Sequence, residues 1–259
     1  MNEIIFKGKR IYYSVKGSGN KGPLVLLHGF LEDSCIWDAI TEDLKNDRQV
    51  ICIDLPGHGK SEGIAQIHNM DLMATVVHKV LETLGIKEFS VAGHSMGGYV
   101  SLELLKKFPM LIKSVMLINS TPVEDTVEKR EIRDRSVQLV EKNKSAFVSM
   151  AITNLYSESS KLKFAAEIEE LKSRAIEMKA EDIQAALNGM KNRTNYLEEL
   201  MGFSGQKMIV AGKEDPILNY RELEAIARGC NAEFFRHDNG HNSYMEATSD
   251  LIELMHLID

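Results

Sequence analysis

Gly93-His94-Ser95-Met96-Gly97 sets a serine between two glycines, with a third glycine at position 98. An apolar run, Phe89–Ala92, leads into it, and an amphipathic stretch, Met96–Phe108, follows. The serine therefore stands where a strand gives way to a helix. A turn that sharp strains the backbone, tolerates only small neighbours and lifts the hydroxyl above the sheet. The N–H groups at the start of the following helix can then hold negative charge that develops beside the serine. The chemistry this predicts is nucleophilic attack by Ser95 on an acyl carbon.

A serine nucleophile needs a base. Where the serine sits on such a turn, the chain order is nucleophile, acid, base. Of the eight histidines, only His237, His241 and His256 come late enough. His256 falls inside the last predicted helix and His237 directly follows the last predicted strand. His241 lies in Asn239-Gly240-His241-Asn242, a loop at the carboxyl edge of the sheet, where ligand sites collect. We read His241 as the base. A histidine base must be neutral to act, so activity is expected to fall on the acid side of about pH 6 to 7. The base needs a carboxylate to fix its tautomer. In the loop Gly212-Lys213-Glu214-Asp215-Pro216, Asp215 is the first candidate and Glu214 the second. The oxyanion needs two N–H donors. Met96 follows the serine, and Phe30 ends the glycine turn of Leu24-Val25-Leu26-Leu27-His28-Gly29-Phe30. His28 reads as a structural loop residue.

Other patterns carry less. Gly59-Lys60-Ser61 echoes a phosphate-binding loop, but the first glycine of that motif would fall on Asp54. Gly17-Ser18-Gly19-Asn20-Lys21-Gly22 is followed by a strand, so no helix N-terminus faces a pyrophosphate. His237 and His241 stand four apart, yet their segment contains a glycine and lacks the helix and glutamate of a zinc motif. We expect no metal and no cofactor.

These residues must be positioned by a sheet. Ile4–Phe6 and Ile11–Val15 read as a hairpin, and Leu24–His28 and Val50–Asp54 as buried strands. Helical spacing covers Ser34–Lys45 and Met70–Leu84. Beyond the serine turn, strands at Lys113–Asn119, Lys207–Gly212 and Ala232–Arg236 alternate with helices, the last at Tyr244–Ile258. The expected fold is α/β, with a mostly parallel central sheet of about eight strands flanked by helices. The stretch from Thr121 to Met201 breaks the alternation. It contains no convincing strand and carries helical stripes such as Ile132/Val137/Leu139/Val140 and Leu162/Ala165/Ile168/Leu171. It reads as an inserted group of about four helices. Residues 1–120 and 203–259 would form the core, and 121–202 an all-helical cap, or lid.

Composition narrows the function. With a net charge of −7 over 259 residues, the chain as a whole has no electrostatic reason to bind nucleic acid. No apolar run reaches the roughly 20 residues of a membrane span, so no membrane association is expected. The first residues read as a strand start and not as a secretion signal, which places the protein in the cytoplasm. Cys35, Cys52 and Cys230 are expected to be reduced thiols. Asn119-Ser120-Thr121, Asn143-Lys144-Ser145 and Asn192-Arg193-Thr194 match the glycosylation pattern by chance.

Five stretches, LVLLHGF, DLPGHGKS, VAGHSMGG, GKEDP and NGHN, fall in order between Leu24 and Asn242, and with them the chain resembles the α/β-hydrolase superfamily, of the compact type with a helical cap. The resemblance implies Ser95 as nucleophile, Asp215 as acid, His241 as base, and Phe30 and Met96 as oxyanion donors. It also implies that the insertion lids the pocket and that the Asp54–Ser61 loop is structural. The expected activity is hydrolysis of a small carboxylic ester, thioester or lactone through an acyl-enzyme, with a small acyl compound as the binding partner. Dehalogenase-type and epoxide-hydrolase-type relatives carry an aspartate in place of Ser95. Lyases of the menaquinone pathway, which resemble the chain in length and cap, typically carry an arginine where this chain has Tyr99. C–C bond hydrolysis or a lyase step remains an alternative, with Arg130, Arg133 and Arg135 as candidate ligands for an acidic substrate, although a solvated helix face is the simpler reading for all three. A small-molecule receptor on a hydrolase scaffold is the alternative from another class. Trp37, Tyr99, Phe147 and Met150 are candidate substrate contacts, with Met73 and Tyr156 as further candidates, and each is as well explained by a helix core.

Overall fold

Alternate residues of each central strand divide between two cores. Leu24, Leu26, Val50, Cys52, Ala92, Met116 and Met208 face one layer, and Val25, Leu27, Ile51, Ile53, Val91, Val115 and Ile209 face the other. Only a sheet covered by helices on both faces asks for strands that are apolar on both sides.

The computed structural model describes residues 1–258. Eight strands form one sheet: β1 (Asn2–Phe6), β2 (Lys9–Lys16), β3 (Lys21–Leu27), β4 (Arg48–Ile53), β5 (Phe89–His94), β6 (Ile112–Ile118), β7 (Gln206–Gly212) and β8 (Glu233–His237), in the order β1-β2-β4-β3-β5-β6-β7-β8. β1, β2 and β4 pair antiparallel and the rest are parallel. The expected first hairpin is present. Lys7 and Gly8, at its turn, both have positive φ, as the right-handed twist of a two-residue hairpin requires.

Helices α1 (Asp38–Leu44) and α11 (Thr248–His256) contribute to the smaller core, together with Trp37 and Tyr244. Helices α2 (Met70–Thr83), α3 (Met96–Lys107) and α9 (Tyr220–Gly229) contribute to the larger one. The last helix was expected to run unbroken from Tyr244. It divides instead into α10 (Ser243–Glu246) and α11 at Ala247, whose φ of −140° and ψ of 41° lie outside the helical region.

Between β6 and β7 the chain forms α4 (Val127–Thr153), α5 (Glu158–Lys163), α6 (Ala165–Glu177), α7 (Ala180–Lys191) and α8 (Leu197–Gly202). That is five helices where about four were expected. α4 is interrupted at Asn143, with φ −158° and ψ 86°. Its stripe is weaker than the spacing suggested: Val140 is buried, but Ile132 and Leu139 are exposed, and Leu162 at the start of the second stripe is 85% exposed. Among the described residues, no helix is long and apolar enough to cross a membrane.

Candidate active site

β5 ends at His94, and Ser95 takes φ 49° and ψ −111° before α3 begins at Met96. For a residue with a β-carbon this is a strained conformation. It is held by bonds to its own backbone: the Ser95 N–H donates to the Ile118 carbonyl at 2.9 Å, and the Ser120 side-chain hydroxyl donates to the Ser95 carbonyl at 2.8 Å. The glycines permit the close approach. A β-carbon on Gly97 would lie 2.2 Å from the Leu27 carbonyl oxygen, and one on Gly93 2.3 Å from the backbone of Gly97. A van der Waals contact needs well over 3 Å, so both positions exclude any side chain.

Three loops at the carboxyl ends of β5, β7 and β8 bring Ser95, Asp215 and His241 together. His241 Nε2 lies 3.0 Å from Ser95 Oγ, and His241 Nδ1 lies 2.8 Å from Asp215 Oδ2. Glu214, the second candidate acid, is exposed and has no part in this chain of contacts. Asp215 is almost fully enclosed. Burial raises its pKa, but the His241 imidazole outweighs this, helped by hydrogen bonds from Asn119 and from the Ile217 backbone, and the net shift is downward. An ionised carboxylate only accepts, so Nδ1 of His241 carries the hydrogen and Nε2 is left to accept from the serine hydroxyl.

Asn119 escaped the sequence reading except as part of a glycosylation pattern. It follows β6 in a left-handed conformation, φ 46°, which asparagine tolerates better than most residues. Its amide donates to Asp215 Oδ2 at 3.0 Å and to the Gly240 carbonyl at 3.2 Å, tying the acid to the loop that carries His241. Asn119 and Ser120 are fully buried. An asparagine closing an apolar strand beside the serine turn was the available signal.

His94 and Glu32 were also missed. Both are buried, with His94 Nδ1 3.0 Å from Glu32 Oε2 and His94 Nε2 2.9 Å from the His241 carbonyl oxygen. Glu32 accepts from the Gly29 N–H at 2.5 Å as well. Two ring nitrogens facing two acceptors call for an imidazolium. Burial alone would lower the His94 pKa; the Glu32 carboxylate more than offsets this and the net direction is upward, while His94 in turn draws Glu32 down against its own burial. The pair thus joins the glycine turn after β3 to the His241 loop. A β-carbon on Gly29 would come within 2.7 Å of Glu32 Oε2 and 2.9 Å of His94 Nδ1, so a side chain there would displace this pair. His28, as expected, is structural: its Nε2 accepts from the Leu55 N–H at 2.9 Å. His237 likewise bonds locally, to the Ser243 hydroxyl at 2.5 Å.

A cavity of about 440 Å³ opens over Ser95 and His241. Phe30, Tyr99, Phe147 and Met150 line it, and Met96 lies beneath as the first residue of α3, where a helix leaves its N–H groups without intrahelical partners. Trp37 does not reach it. Trp37 is fully buried in the opposite layer, edge-on to Tyr244 at 6.2 Å between ring centres, because the segment before α1 packs under the far face of the sheet. Met73 and Tyr156 are likewise core residues that do not line the cavity. Of the three candidate arginines, Arg130 and Arg135 lie on an exposed helix face, whereas Arg133 lines the cavity and pairs with Asp125.

The sequence profile of the alpha/beta hydrolase fold matches residues 22–248. Over 252 residues the chain is 26% identical to the dihydrolipoyllysine-residue acetyltransferase component of the acetoin cleaving system of Cupriavidus necator, covering 96% of this chain and 66% of that protein. Over 108 residues it is 34% identical to the pimeloyl-[acyl-carrier protein] methyl ester esterase of Nitrosomonas europaea, covering 42% of this chain and 41% of that protein. The matches thus span less than two thirds of either relative. Among solved structures it superposes on a thermophilic esterase from Thermogutta terrifontis, with malate bound, at a TM-score of 0.92 and 26% identity, covering 99% of this chain and 97% of the other.

Proposed function

The chain belongs to the alpha/beta hydrolase family, and on that premise we propose that it is a serine hydrolase cleaving small carboxylic esters, thioesters or lactones through an acyl-enzyme. The observation that carries this is the unbroken series from Asp215 through His241 to Ser95, with steps of 2.8 and 3.0 Å. The names of the esterases to which the chain is similar support the same chemistry.

In the proposed mechanism, His241 Nε2 takes the proton from Ser95 Oγ as the oxygen attacks the acyl carbon. The charge moving onto the carbonyl oxygen is held by the N–H groups of Phe30 and Met96. Asp215 keeps His241 in the productive tautomer and stabilises the imidazolium. His241 then protonates the leaving alcohol, and a water molecule repeats the sequence on the acyl-enzyme, with His241 again as base. The insertion, residues 121–202, acts as a cap over the acyl group. Phe147 and Met150 of α4, with Leu187 and Met190 of α7, supply the apolar walls that exclude water from it.

A lyase or C–C hydrolase would use the same Ser95 and His241. Tyr99 stands where the lyases typically carry an arginine, but the Arg193 guanidinium lies 4.1 Å from the centre of the Tyr99 ring, so an arginine occupies that neighbourhood from another part of the chain. Product analysis separates the two chemistries. The ester reading is tested with p-nitrophenyl butyrate and the Ser95→Ala variant. We expect kcat/KM to fall by at least about 10³ with the fold intact; turnover equal to that of the unsubstituted protein overturns it.

A further inference from the structure

One stripe of α4 gives the cavity an unusual wall. Lys129, Ile132, Arg133 and Ser136 all line it, at the i, i+3, i+4 and i+7 spacing of a single helix face. Arg133 Nε pairs with Asp125, and Arg193 Nη1 reaches the other oxygen of the same carboxylate at 2.6 Å. Asp125 is 1% exposed and held below its ordinary pKa: burial raises it, but Arg133 and then Arg193 outweigh that. One ionised carboxylate is therefore shared by two guanidinium groups. The Arg193 Nε is buried with no hydrogen-bond partner. Among the described residues, Lys129 makes no ion pair. The other carboxylate in the cavity lining, Glu32, is taken by His94. The cavity wall thus presents two cations, Lys129 and Arg133, with the buried Arg193 behind them sharing the one anion, Asp125, in a chain whose net charge is −7. Elsewhere the cavity lining is mostly apolar, with Phe147, Met150, Leu187 and Met190 beside Tyr99 and Asn154.

We propose that Lys129 and Arg133 form a subsite for a carboxylate, and that the substrates are esters carrying a free carboxylate separated from the scissile carbonyl by an apolar spacer. The inference deepens the ester-hydrolase reading and rests on it for the reaction, but not for the binding. An unpaired ammonium in a partly closed apolar cavity attracts an anion more strongly than it would in open water, because fewer water dipoles compete with the ligand. The two arginines, fixed by Asp125, keep the wall positive at every pH at which Asp125 and the ligand are ionised. The apolar part of the lining selects against a short polar acid, which would leave that surface in contact with water.

The test uses the Ser95→Ala protein, in which no bond needs to break. Dissociation constants are measured by ligand-observed NMR titration for monomethyl adipate, which carries one carboxylate, and for dimethyl adipate, its neutral counterpart. We expect the monoester to bind about tenfold more tightly, and Lys129→Gln in the same background to reduce that ratio to about twofold or less. Equal or weaker binding of the monoester, or a ratio unchanged by Lys129→Gln, overturns the subsite. Dimethyl adipate binding and the melting temperature of the double variant report whether the cavity has kept its shape. Monomethyl esters of succinic, glutaric and suberic acids then locate the anion relative to Ser95 through the chain length that binds best. Loss of the ester-hydrolase reading would show separately, as turnover of neutral esters that does not depend on Ser95.

Discussion

Asp215 accepts four hydrogen bonds: His241 Nδ1 and Asn119 Nδ2 on one oxygen, and the N–H groups of Ile217 and Leu218 on the other. This explains how a carboxylate can stay ionised while enclosed in protein. Its pKa is lowered, so the stability it contributes is present above the ordinary aspartate range and is lost as pH falls through the lowered value. The same contacts give a kinetic expectation. Asp215→Asn would present its amide N–H or its carbonyl to His241 Nδ1, and one of those choices forces the hydrogen onto Nε2, where it blocks proton transfer from Ser95. Under the proposed mechanism kcat should fall by about 10⁴, with KM much less affected. Stopped-assay kinetics on p-nitrophenyl butyrate decide this; a loss below tenfold would show that Asp215 does not orient the base. Steric bulk is nearly unchanged by the substitution, so the fold is expected to be retained, which circular dichroism checks.

The element that most constrains the site is the turn from β5 into α3. Its geometry depends mainly on a stack of backbone contacts, joined by the Ser120 side chain. Gly97 lies against the Leu27 and His28 carbonyls of the β3 end, and Gly98 against the Ser120 side chain after β6. A methyl at position 97 must push the turn away from β3, and β3 leads into the loop that carries Phe30. Gly97→Ala is expected to cost at least about 2 kcal/mol of stability, and to lower kcat/KM further in the protein that remains folded, because Ser95 and the Phe30 N–H separate. Urea denaturation with activity measured on the folded fraction checks both parts; an alanine variant of unchanged stability and activity contradicts the packing argument. The insertion meets the core through side-chain and backbone contacts both, with Arg174 of α6 donating to Asp33 at 2.8 Å, the Ala185 carbonyl of α7 accepting from the His68 N–H at 3.0 Å and the Leu155 carbonyl from the His241 N–H at 3.4 Å. Such contacts leave its outer face free to vary.

At the scale of the whole molecule, buried neutral histidines make stability depend on pH. Burial lowers the His68 pKa from 6.5 to about 4, and burial together with His28 pushes His58 well below its ordinary value. Both side chains are fully enclosed. In the unfolded chain each binds a proton near pH 6.5, whereas in the folded chain neither does until the pH is much lower. The unfolded state therefore binds more protons across that window, and stability falls as pH drops through it. For His68 alone the loss between pH 7 and pH 5 is about 2 kcal/mol. The His94–Glu32 pair works partly against this, since a histidine held protonated in the fold contributes stability that is fully present below its ordinary pKa and is lost as pH rises above it. Urea unfolding midpoints at pH 7 and pH 5 test the expectation, and a His68→Gln variant should show a smaller shift between them. Equal midpoints would mean that His68 is protonated in the folded protein.

The sequence by itself determined the local pieces: the strand–serine–helix turn, the acidic loop after β7, the histidine loop after β8 and the order of the sheet elements. Each is written in nearby residues, since a glycine two positions from Ser95 or an apolar run at Val50–Ile53 acts on its own neighbourhood. The helices of residues 121–202 were legible as helices, but not what their faces touch. A helical stripe states that one side is buried without naming the neighbour, so Trp37, Tyr99, Phe147 and Met150 had equal standing until three of them turned toward the cavity and Trp37 toward the other core. Only the tertiary structure decided the contacts that join distant segments: Asn119 to Asp215, Glu32 to His94, and Asp125 to Arg133 and Arg193. These pairs lie 96, 62, 8 and 68 positions apart, and all but one are far beyond the reach of any local pattern. Side chains so distant meet because the sheet brings the ends of β3, β5, β6, β7 and β8 to one edge, and what burial then demands of each polar group is that it find a partner there.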